Sequence, residues 1–167
     1  RNADAGLTGN ETGEDTTLLG SDTFTYYGLG CRNVSKLFVP KGYDFTNLFE
    51  SIFGYGNIVN HHKYANNYDY NKAIYLMGQE KFMDNNFLMI REDDTSLHSP
   101  LSVLFYSYYG SIDDVKKTLQ SLENEIQCVA CKINLNIERQ VGFGMTQHPK
   151  LWDYADGIGT IKFLNEL

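Results

Sequence analysis

The thiol of Cys31 is the first candidate for chemistry in this chain, in the stretch FTYYGLGCRNVSKLFVP. Gly28 and Gly30 permit positive φ angles and let the backbone approach a ligand closely, so this turn can present a thiol at the mouth of a cleft. Backbone N–H groups after the turn would favour the thiolate and hold an oxyanion, and Arg32 and Lys36 add positive charge. The residues alone leave two interpretations open, a nucleophile on a permissive turn or an ordinary buried thiol.

Two further cysteines, Cys128 and Cys131, have the spacing C-x-x-C. The alternation of apolar residues around them indicates a strand, and residues i and i+3 of a strand point to opposite faces. We therefore expect neither a redox pair nor a metal site here, and we predict no metal elsewhere in the chain. An odd number of cysteines without framework spacing favours a reduced, cytoplasmic protein.

The histidines form no pattern that by itself predicts catalysis. His61 and His62 are neighbours in sequence and share no face of a helix or a strand, so a joint ligand role is not expected. His98 and His148 lie in loop contexts, and each taken alone is read as a structural residue.

The net charge of −7, from 21 acidic and 14 basic residues, argues against general nucleic-acid binding but leaves room for an anionic small ligand at a local basic patch. No apolar run approaches the roughly 18 residues that cross a bilayer. The length of 167 residues fits one folded domain. The chain begins with Arg1 rather than Met, and we expect it to be a piece of a longer protein.

Hydrophobic periodicity and turn signals predict alternating strands and helices. In chain order these are a loop with a weak strand at 1–13, a helix at 14–27, a strand at 35–40, a helix at 44–54 capped by Asp44 and Gly54, a weak helix and then a strand around 73–77, a strand at 85–93, a strand at 100–110, a helix at 111–126 begun by Ser111 and Asp114, a strand at 127–137 and a final strand after Gly157. Strand, helix and strand within 100–137 form a βαβ unit, which implies a right-handed parallel crossover.

The cysteine segment resembles that of the aldehyde dehydrogenase superfamily, which has the form F-x-N-x-G-Q-x-C followed by a basic residue five positions on and a short strand. Phe24, Gly28, Cys31 and Lys36 fall in the corresponding places, while a Tyr and a Leu replace the Asn and the Gln. The variant YYGLGCRNVSKLFVP looks more like the acyl-CoA reductase branch, the LuxC-like enzymes. SLHSPLSVLFY resembles the E-x-F-G-P region with its following βαβ unit, and GFGMTQHPKLWDYADGIGTIKFL resembles the C-terminal tail of that branch.

The resemblance implies a three-layer α/β fold with a largely parallel sheet and flanking helices, like the catalytic domain of an aldehyde dehydrogenase. It makes residues 1–167 the single cysteine-bearing domain of a longer enzyme, with the nucleotide-binding domain outside this chain. The implied enzyme is an NAD(P)H-dependent acyl-CoA reductase, in which a cysteine forms an acyl-enzyme from an acyl thioester and a nicotinamide cofactor reduces it to an aldehyde. Because NADPH or NADH would bind mainly elsewhere, we expect no reductase turnover from this chain alone.

The resemblance also implies roles for individual residues. The expected site consists of Gly28 and Gly30 for the turn and oxyanion, Cys31 as the nucleophile, Arg32 and Lys36 for the phosphates of CoA, and Ser96 and His98 for the cofactor, at the places of the Glu and Phe of E-x-F-G-P. These last two differ from the residues of the relatives.

Two other functions remain open. The first is a non-catalytic oligomerisation or acyl-binding module. An exposed final strand within GTIKFLNEL would favour pairing with a second copy in a homo-oligomer. In the second, Cys31 and either His98 or His148 form a thiol hydrolase or acyltransferase.

Overall fold

A computed structural model describes residues 2–166 of the chain. Its strands are β1 Asn2–Gly6, β2 Val34–Pro40, β3 Met83–Asp84, β4 Met89–Glu92, β5 Val103–Tyr109, β6 Ile126–Cys131 and β7 Gln140–Val141. Its helices are α1 Gly13–Phe24, α2 Thr46–Ile52, α3 His62–Met77, α4 Ile112–Ser121 and α5 Thr160–Asn165, with 3-10 segments at Thr25–Gly28, Phe53–Asn60 and Ala155–Gly157.

The seven strands form one sheet in the order β3, β4, β5, β2, β1, β6, β7. Every neighbouring pair is parallel except β3 with β4. The helix α1 connects the paired strands β1 and β2, and α4 connects β5 to β6. The fold is therefore the predicted α/β architecture with a largely parallel sheet.

Alternate residues of the central strand β2 pack into two separate cores, one on each face of the sheet. Leu37 belongs to a core that includes Leu19 of α1 and Leu48 of α2. The next residue, Phe38, packs with Val115 of α4 on the other face. This alternation gives the three layers, because side chains of successive strand residues point to opposite faces.

The prediction of elements is confirmed for the strands β2, β4, β5 and β6 and for the helices α1 and α4. The helix α2 begins at Thr46 with Phe45 as its N-cap, so the predicted N-cap at Asp44 is one residue too early, although Asp44 Oδ1 accepts the Thr46 N–H at 2.9 Å. Gly54 does not end that segment, because a 3-10 segment continues to Asn60. The strand β6 ends at Cys131 rather than at 137, because the Gln140 side chain bonds the backbone of the following turn.

The N-terminal segment is a buried strand between β2 and β6, not a loop with a weak strand. At its last residue the neighbouring strand leaves little room for a side chain, because a Cβ on Gly6 would lie 3.3 Å from Sγ of its register partner Cys131 on β6. Ala3 and Ala5 are fully buried. A segment of Ala, Gly, Asn and Asp has little strand propensity of its own, so its pairing on both sides determines its structure.

The strand predicted around residues 73–77 is wrong, because α3 continues as one helix to Met77. Its buried residues recur at helical spacing, and they are Tyr64, Tyr68, Asn71 and Tyr75. Their polar tips are satisfied: Tyr64 Oη donates to the Phe87 carbonyl at 2.9 Å, and Asn71 Nδ2 donates to the Leu101 carbonyl at 2.8 Å. A stripe of tyrosines and an asparagine gives only a weak hydrophobic pattern, so the sequence does not clearly predict this helix.

The predicted final strand is also wrong. Residues Thr160–Asn165 form the exposed helix α5, so the proposed pairing of two copies through a C-terminal strand loses its basis. The apolar residues of IKFL fit alternation and helical spacing equally, and a run this short does not distinguish a strand from a helix. Within residues 2–166, no helix is long and apolar enough to cross a membrane.

Asp4 and Lys36 place two ionisable side chains in the interior of the sheet. They are register partners on β1 and β2, with exposed fractions of 1% and 2%. Lys36 Nζ donates to the carbonyls of Asp93 at 2.8 Å and Ser96 at 2.9 Å. Asp4 Oδ2 has no hydrogen-bond partner among the described residues. Burial raises the pKa of Asp4 to about 8, although Lys36 acts in the opposite direction.

We predict that Asp4→Asn reduces the dependence of stability on pH. The folded-state pKa of about 8 lies above the ordinary value of 3.8, so unfolding releases a proton in this window and stability falls as the pH rises through it. One such group contributes up to about 1.4 kcal/mol per pH unit, and asparagine contributes none. Urea unfolding at pH values between about 5 and 8 measures both slopes. Equal slopes for the two proteins would contradict the prediction.

Candidate active site

Cys31 lies in the turn between α1 and β2, at the amino end of the central strand, and it is exposed. It is therefore not the ordinary buried thiol that the sequence left as an alternative. Cys128 and Cys131 are both buried, and burial raises the pKa of each thiol, to about 12 for Cys128. Of the three cysteines, Cys31 alone is accessible to a reagent or a substrate.

Cys128 and Cys131 point to opposite faces of the sheet, as predicted. Cys128 packs in the core that includes Ala3, and Cys131 packs in the core that includes Phe38. Their C-x-x-C spacing consequently forms no pair of facing sulfurs. Among residues 2–166, no group of three or more His, Cys, Asp or Glu side chains is arranged to hold a metal ion.

Three consecutive residues before the cysteine have left-handed backbone conformations. The φ angles of Tyr26, Tyr27 and Gly28 are 55°, 60° and 75°. Glycine adopts this conformation freely, whereas a tyrosine is destabilised there by about 1–2 kcal/mol. The Tyr27 ring stacks on His61 with 4.0 Å between centroids, which helps to hold the conformation. Such strain persists only where the surroundings impose it, and it clusters at functional sites.

The two glycines serve different purposes in this turn. Gly28 has the expected positive φ, and a Cβ on it would lie 3.2 Å from Cδ1 of Leu101. Gly30 does not have a positive φ, contrary to the expectation. Its lack of a side chain instead lets the Asn33 side chain approach the turn closely. A Cβ there would lie 2.9 Å from Oδ1 of Asn33. The segment LHSPLS, which contains Leu101, thus meets the cysteine turn at Gly28.

The side chain of Asn33 holds the turn together. Its Oδ1 accepts the Gly30 N–H at 2.7 Å. Its Nδ2 donates to three carbonyls at the end of α1, those of Asp22, Thr23 and Thr25, at 3.0, 3.1 and 2.8 Å. One buried amide therefore satisfies the end of the helix and the turn that carries the thiol.

The carboxylate of Asp22 fixes a second loop, residues 142–147. Oδ1 accepts from the N–H of Thr146 at 3.0 Å and from its hydroxyl at 2.7 Å, and Oδ2 accepts the Gly144 N–H at 2.7 Å. Burial raises the pKa of Asp22, although these hydrogen bonds act in the opposite direction. The Thr146 carbonyl in turn accepts from Nε of Arg32. The loop thereby also positions the guanidinium that follows the cysteine.

Gln147 places an amide beside the cysteine turn. A Cβ on Gly30 would lie 3.7 Å from its Nε2 and 3.8 Å from its Oε1. Nε2 is buried and has no hydrogen-bond partner among the described residues. Leaving such a donor unsatisfied costs roughly 1–3 kcal/mol, so the position calls for a reason. An unused N–H donor against the turn that carries a thiol is the type of group that could stabilise an oxyanion.

The structure separates the two cations that were predicted to bind CoA. Arg32 lines a cavity of about 330 Å³, together with Lys150 and Trp152. Lys36 lines a different cavity of about 700 Å³, and its Nζ is already occupied by two carbonyls. A single phosphate group therefore does not bridge Arg32 and Lys36.

Ser96 and His98 lie in the segment that Lys36 fixes. The Ser96 N–H donates to Oδ1 of Asp93 at 2.9 Å, and its carbonyl accepts from Lys36 Nζ. His98 lines the cavity of about 700 Å³, and partial burial of its ring lowers the pKa of His98. The same cavity is lined by the carboxylates of Asp94, Asp114 and Glu125. Three carboxylates against two lysines make the lining of this cavity acidic, and an acidic lining repels the phosphates of a dinucleotide.

Comparison with known proteins gives a structural likeness only. No protein-family model and no curated protein matches the chain. An indole-3-acetaldehyde dehydrogenase in complex with NAD+ aligns with 81% of this chain at 10% identity and a TM-score of 0.54. An NAD-dependent aldehyde dehydrogenase from Sinorhizobium meliloti aligns with 78% at 11% identity and 0.47. The Delta-pyrroline-5-carboxylate dehydrogenase from Mycobacterium tuberculosis, bound with NAD, aligns with 77% at 12% identity and 0.44.

The fold is of the aldehyde dehydrogenase type. This conclusion rests on the first of these structures, because the other two have TM-scores below 0.5. At 10% identity, the likeness to the first structure concerns the fold alone. The chain spans about a third of the length of the matched structures, with 34%, 32% and 29% of their chains covered.

Sequence reasoning missed the residues that build the site around the cysteine, namely Asn33, Asp22 and Gln147. Asn33 had a detectable signal, because it stands between a glycine turn and a strand, where Asn commonly bonds the local backbone. Asp22 had a weaker one, as an acidic residue near the end of a predicted helix, where the helix dipole disfavours a negative charge. Gln147 had no signal, since its partner turn lies more than a hundred residues away.

We predict that Asn33→Ala destabilises the protein by about 1–3 kcal/mol, because four backbone groups lose their partner. Asn33→Asp is the matched variant, since it keeps an acceptor for Gly30 but has no N–H for the three carbonyls, and we expect a similar loss. Urea unfolding measures the free energies, and the rate of iodoacetamide labelling of Cys31 reports the order of the turn. Native stability in both variants would contradict this role for Asn33.

Proposed function

We propose that this chain is the cysteine-bearing catalytic part of an acyl-CoA reductase of the aldehyde dehydrogenase superfamily. The observation that supports the proposal is the exposed thiol of Cys31 on a strained turn, with the unused amide of Gln147 against Gly30. The fold supports the superfamily, and the motif YYGLGCRNVSKLFVP supports the LuxC-like branch. The substrate is an acyl thioester, and the product of the complete enzyme is an aldehyde.

The first half of the reaction is acyl transfer to the thiol. The Cys31 thiolate attacks the thioester carbonyl, a carbon–sulfur bond forms, and the carbonyl oxygen becomes an oxyanion. The oxyanion accepts from the Gln147 amide and from the backbone N–H of Cys31. Collapse of the tetrahedral intermediate breaks the bond to the sulfur of CoA, which leaves as a thiolate and takes a proton. One thioester replaces another, so no oxidant is needed.

The second half of the reaction is reduction of the acyl-enzyme, for which a bound nicotinamide cofactor supplies a hydride. His98 borders a cavity with more carboxylates than lysines, which does not fit the cofactor phosphates, and the Ser96 carbonyl is occupied by Lys36. We therefore assign no hydride-transfer step to the residues of this chain, and place the cofactor on a domain outside it. NADPH and NADH remain equally compatible with this proposal.

A thiol hydrolase or acyltransferase is the second candidate, and the loop 142–147 favours His148 over His98 as its base. Gln147 lies against Gly30, so His148 follows a residue that borders the cysteine turn. His98 instead lines the cavity that Lys36 borders. The two candidates share acylation of Cys31 and differ in the fate of the acyl group.

We predict that incubation with a long-chain acyl-CoA adds one acyl group to the protein, at Cys31. The control is Cys31→Ser, which should remain unmodified because Cys128 and Cys131 are buried. Intact mass spectrometry measures the adduct, and peptide mapping locates it. An adduct that persists supports the reductase, and one that hydrolyses without a nicotinamide cofactor favours the hydrolase. If no adduct forms, acyl transfer to this thiol is refuted.

We further predict that Gln147→Ala slows this acylation by about 100-fold, the usual effect of removing one oxyanion donor. Alkylation of Cys31 by iodoacetamide generates no oxyanion and should keep its native rate in the variant. Acylation is followed by mass spectrometry and alkylation by loss of free thiol. If both rates fall together, Gln147 only shapes the turn, and if neither falls it has no role at the thiol.

A further inference from the structure

The cavity beside Arg32 has features of a ligand site that the acyl-transfer chemistry does not use. It lies at the amino end of β6, between the segment before β7 and the chain after Lys150, and its volume is about 330 Å³. This is at the small end of the range for small-molecule sites. Two aromatic residues, Trp152 and Tyr154, line it together with polar groups.

Three cationic side chains border this cavity. Arg32 is the most enclosed, with 10% of its side chain exposed. Its Nε donates to the Thr146 carbonyl, while its terminal Nη2 lies 4.0 Å from the Asp153 carboxylate, beyond hydrogen-bond distance. Arg139 donates one N–H to the Ile126 carbonyl at 3.3 Å. Among residues 2–166, the other N–H groups of both guanidinium groups have no hydrogen-bond partner, so they remain as donors for an anion.

The third cation, Lys150, lies over the aromatic ring of the cavity wall. Its Nζ is 5.6 Å from the centroid of Trp152, and 68% of the Trp152 residue is exposed. An exposed indole beside an ammonium group offers a stacking surface and a charge to the same ligand. Phosphate groups attached to a planar ring combine the two interactions.

Two carboxylates, Glu138 and Asp153, also line the cavity. The Asp153 carboxylate accepts a hydrogen bond from the backbone N–H of Lys150 at 2.9 Å, so one of its oxygens is engaged by the local turn. Three cations against two carboxylates leave the lining with a net charge of +1 (3 − 2), in a chain whose net charge is −7. The cavity is thus a local positive region on an acidic protein.

The walls of the cavity are held in place by a buried side chain. Gln127 is 3% exposed, its Nε2 donates to the Tyr154 carbonyl at 3.3 Å, and its Oε1 accepts the Asp156 N–H at 3.2 Å. The amide thus ties the chain after Lys150 to the sheet. A cavity whose walls are fixed in this way binds a ligand with less loss of conformational entropy.

We propose that this cavity binds a diphosphate group that carries an aromatic ring, with the phosphates at Arg32, Arg139 and Lys150 and the ring on Trp152. Guanidinium forks match phosphate oxygens in pairs, which favours phosphate over a single carboxylate. Arg32 directly follows Cys31, so a nucleotide diphosphate held here lies near the thiol. If the bound group is the nucleotide end of acyl-CoA, this inference deepens the proposed function and rests on it. The existence of the binding site does not rest on the proposed function.

Trp152 is the only tryptophan of the chain, so its fluorescence reports binding at this cavity directly. The probe is ADP, and the compounds compared with it are inorganic diphosphate, adenosine and coenzyme A. We expect ADP and coenzyme A to change the Trp152 emission with saturation, inorganic diphosphate to bind more weakly, and adenosine to bind at least about tenfold more weakly than ADP. Equal affinity for adenosine and ADP overturns the phosphate contacts. Equal affinity for ADP and inorganic diphosphate overturns the stacking on Trp152.

Charge variants test the residues assigned to the phosphates. Arg139→Gln and Lys150→Gln are each expected to weaken ADP binding by about tenfold. Lys117→Gln removes the same charge from the exposed face of α4, outside this cavity, and should leave the affinity unchanged. Glu138→Gln removes a repulsive charge and should tighten binding by about twofold. Equal affinity in all variants, or equal weakening in the Lys117 control, overturns the site.

The binding test and the acylation test fail separately. Cys31→Ser should bind ADP as the native protein does while it forms no acyl adduct. Acylation without ADP binding overturns the diphosphate site and leaves the proposed function intact. ADP binding without acylation retains the site and overturns its connection with acyl transfer.

Discussion

The amide of Asn33 is the interaction on which the candidate site depends. Its side chain joins the end of α1 to the Gly30 turn, and its backbone carbonyl accepts the N–H of Ala3 at 3.1 Å. One residue thus connects the helix, the cysteine turn and two central strands. Because a buried amide must satisfy both its donors and its acceptor, these elements are held in a single arrangement. The left-handed backbone of Tyr26 and Tyr27 is held by this close fixation of the chain on its C-terminal side together with the stacking of Tyr27 on His61.

The buried polar residues around this amide act mainly on the backbone, and this changes the meaning of the charges near the cysteine. Asp22 orders the loop 142–147, and Lys36 orders the segment from Asp93 to Ser96. A basic residue five positions after a cysteine reads in the sequence as a ligand contact, but its Nζ is inside the protein and bonded to carbonyls. Arg32 differs, because only its Nε is engaged by the backbone and the rest of the guanidinium faces a cavity.

The fold was predictable from the sequence where local pattern and tertiary structure agree. The βαβ unit around α4 has a polar N-cap at Ser111, an apolar stripe and a following strand, and all three were recognised, although β6 is buried at every residue and is shorter than predicted. β1 and α3 were not, because their structure comes from partners distant in sequence. β1 is a strand since β2 and β6 pair with it on both sides, and α3 buries tyrosines whose hydroxyls find acceptors only in the folded protein. The same limit applies to the site: the cysteine and its glycines are local, whereas Gln147 and Lys150 arrive from the other end of the chain.

The position of the site in the sheet explains why side chains supply most of its electrostatics. Parallel α/β sheets generally bind ligands at the carboxyl ends of their strands, where helix N-termini converge and offer backbone N–H groups. Here Cys31 precedes β2 and Gln127 lies at the start of β6, so the thiol and the adjacent cavity are at the amino ends. At this edge α1 presents its C-terminus, whose dipole disfavours an anion and whose carbonyls are covered by Asn33. Stabilisation of an oxyanion or a phosphate therefore comes largely from guanidinium, ammonium and amide side chains. Arg32 follows the cysteine, Arg139 precedes β7, and Gln147 and Lys150 come from the segment after β7.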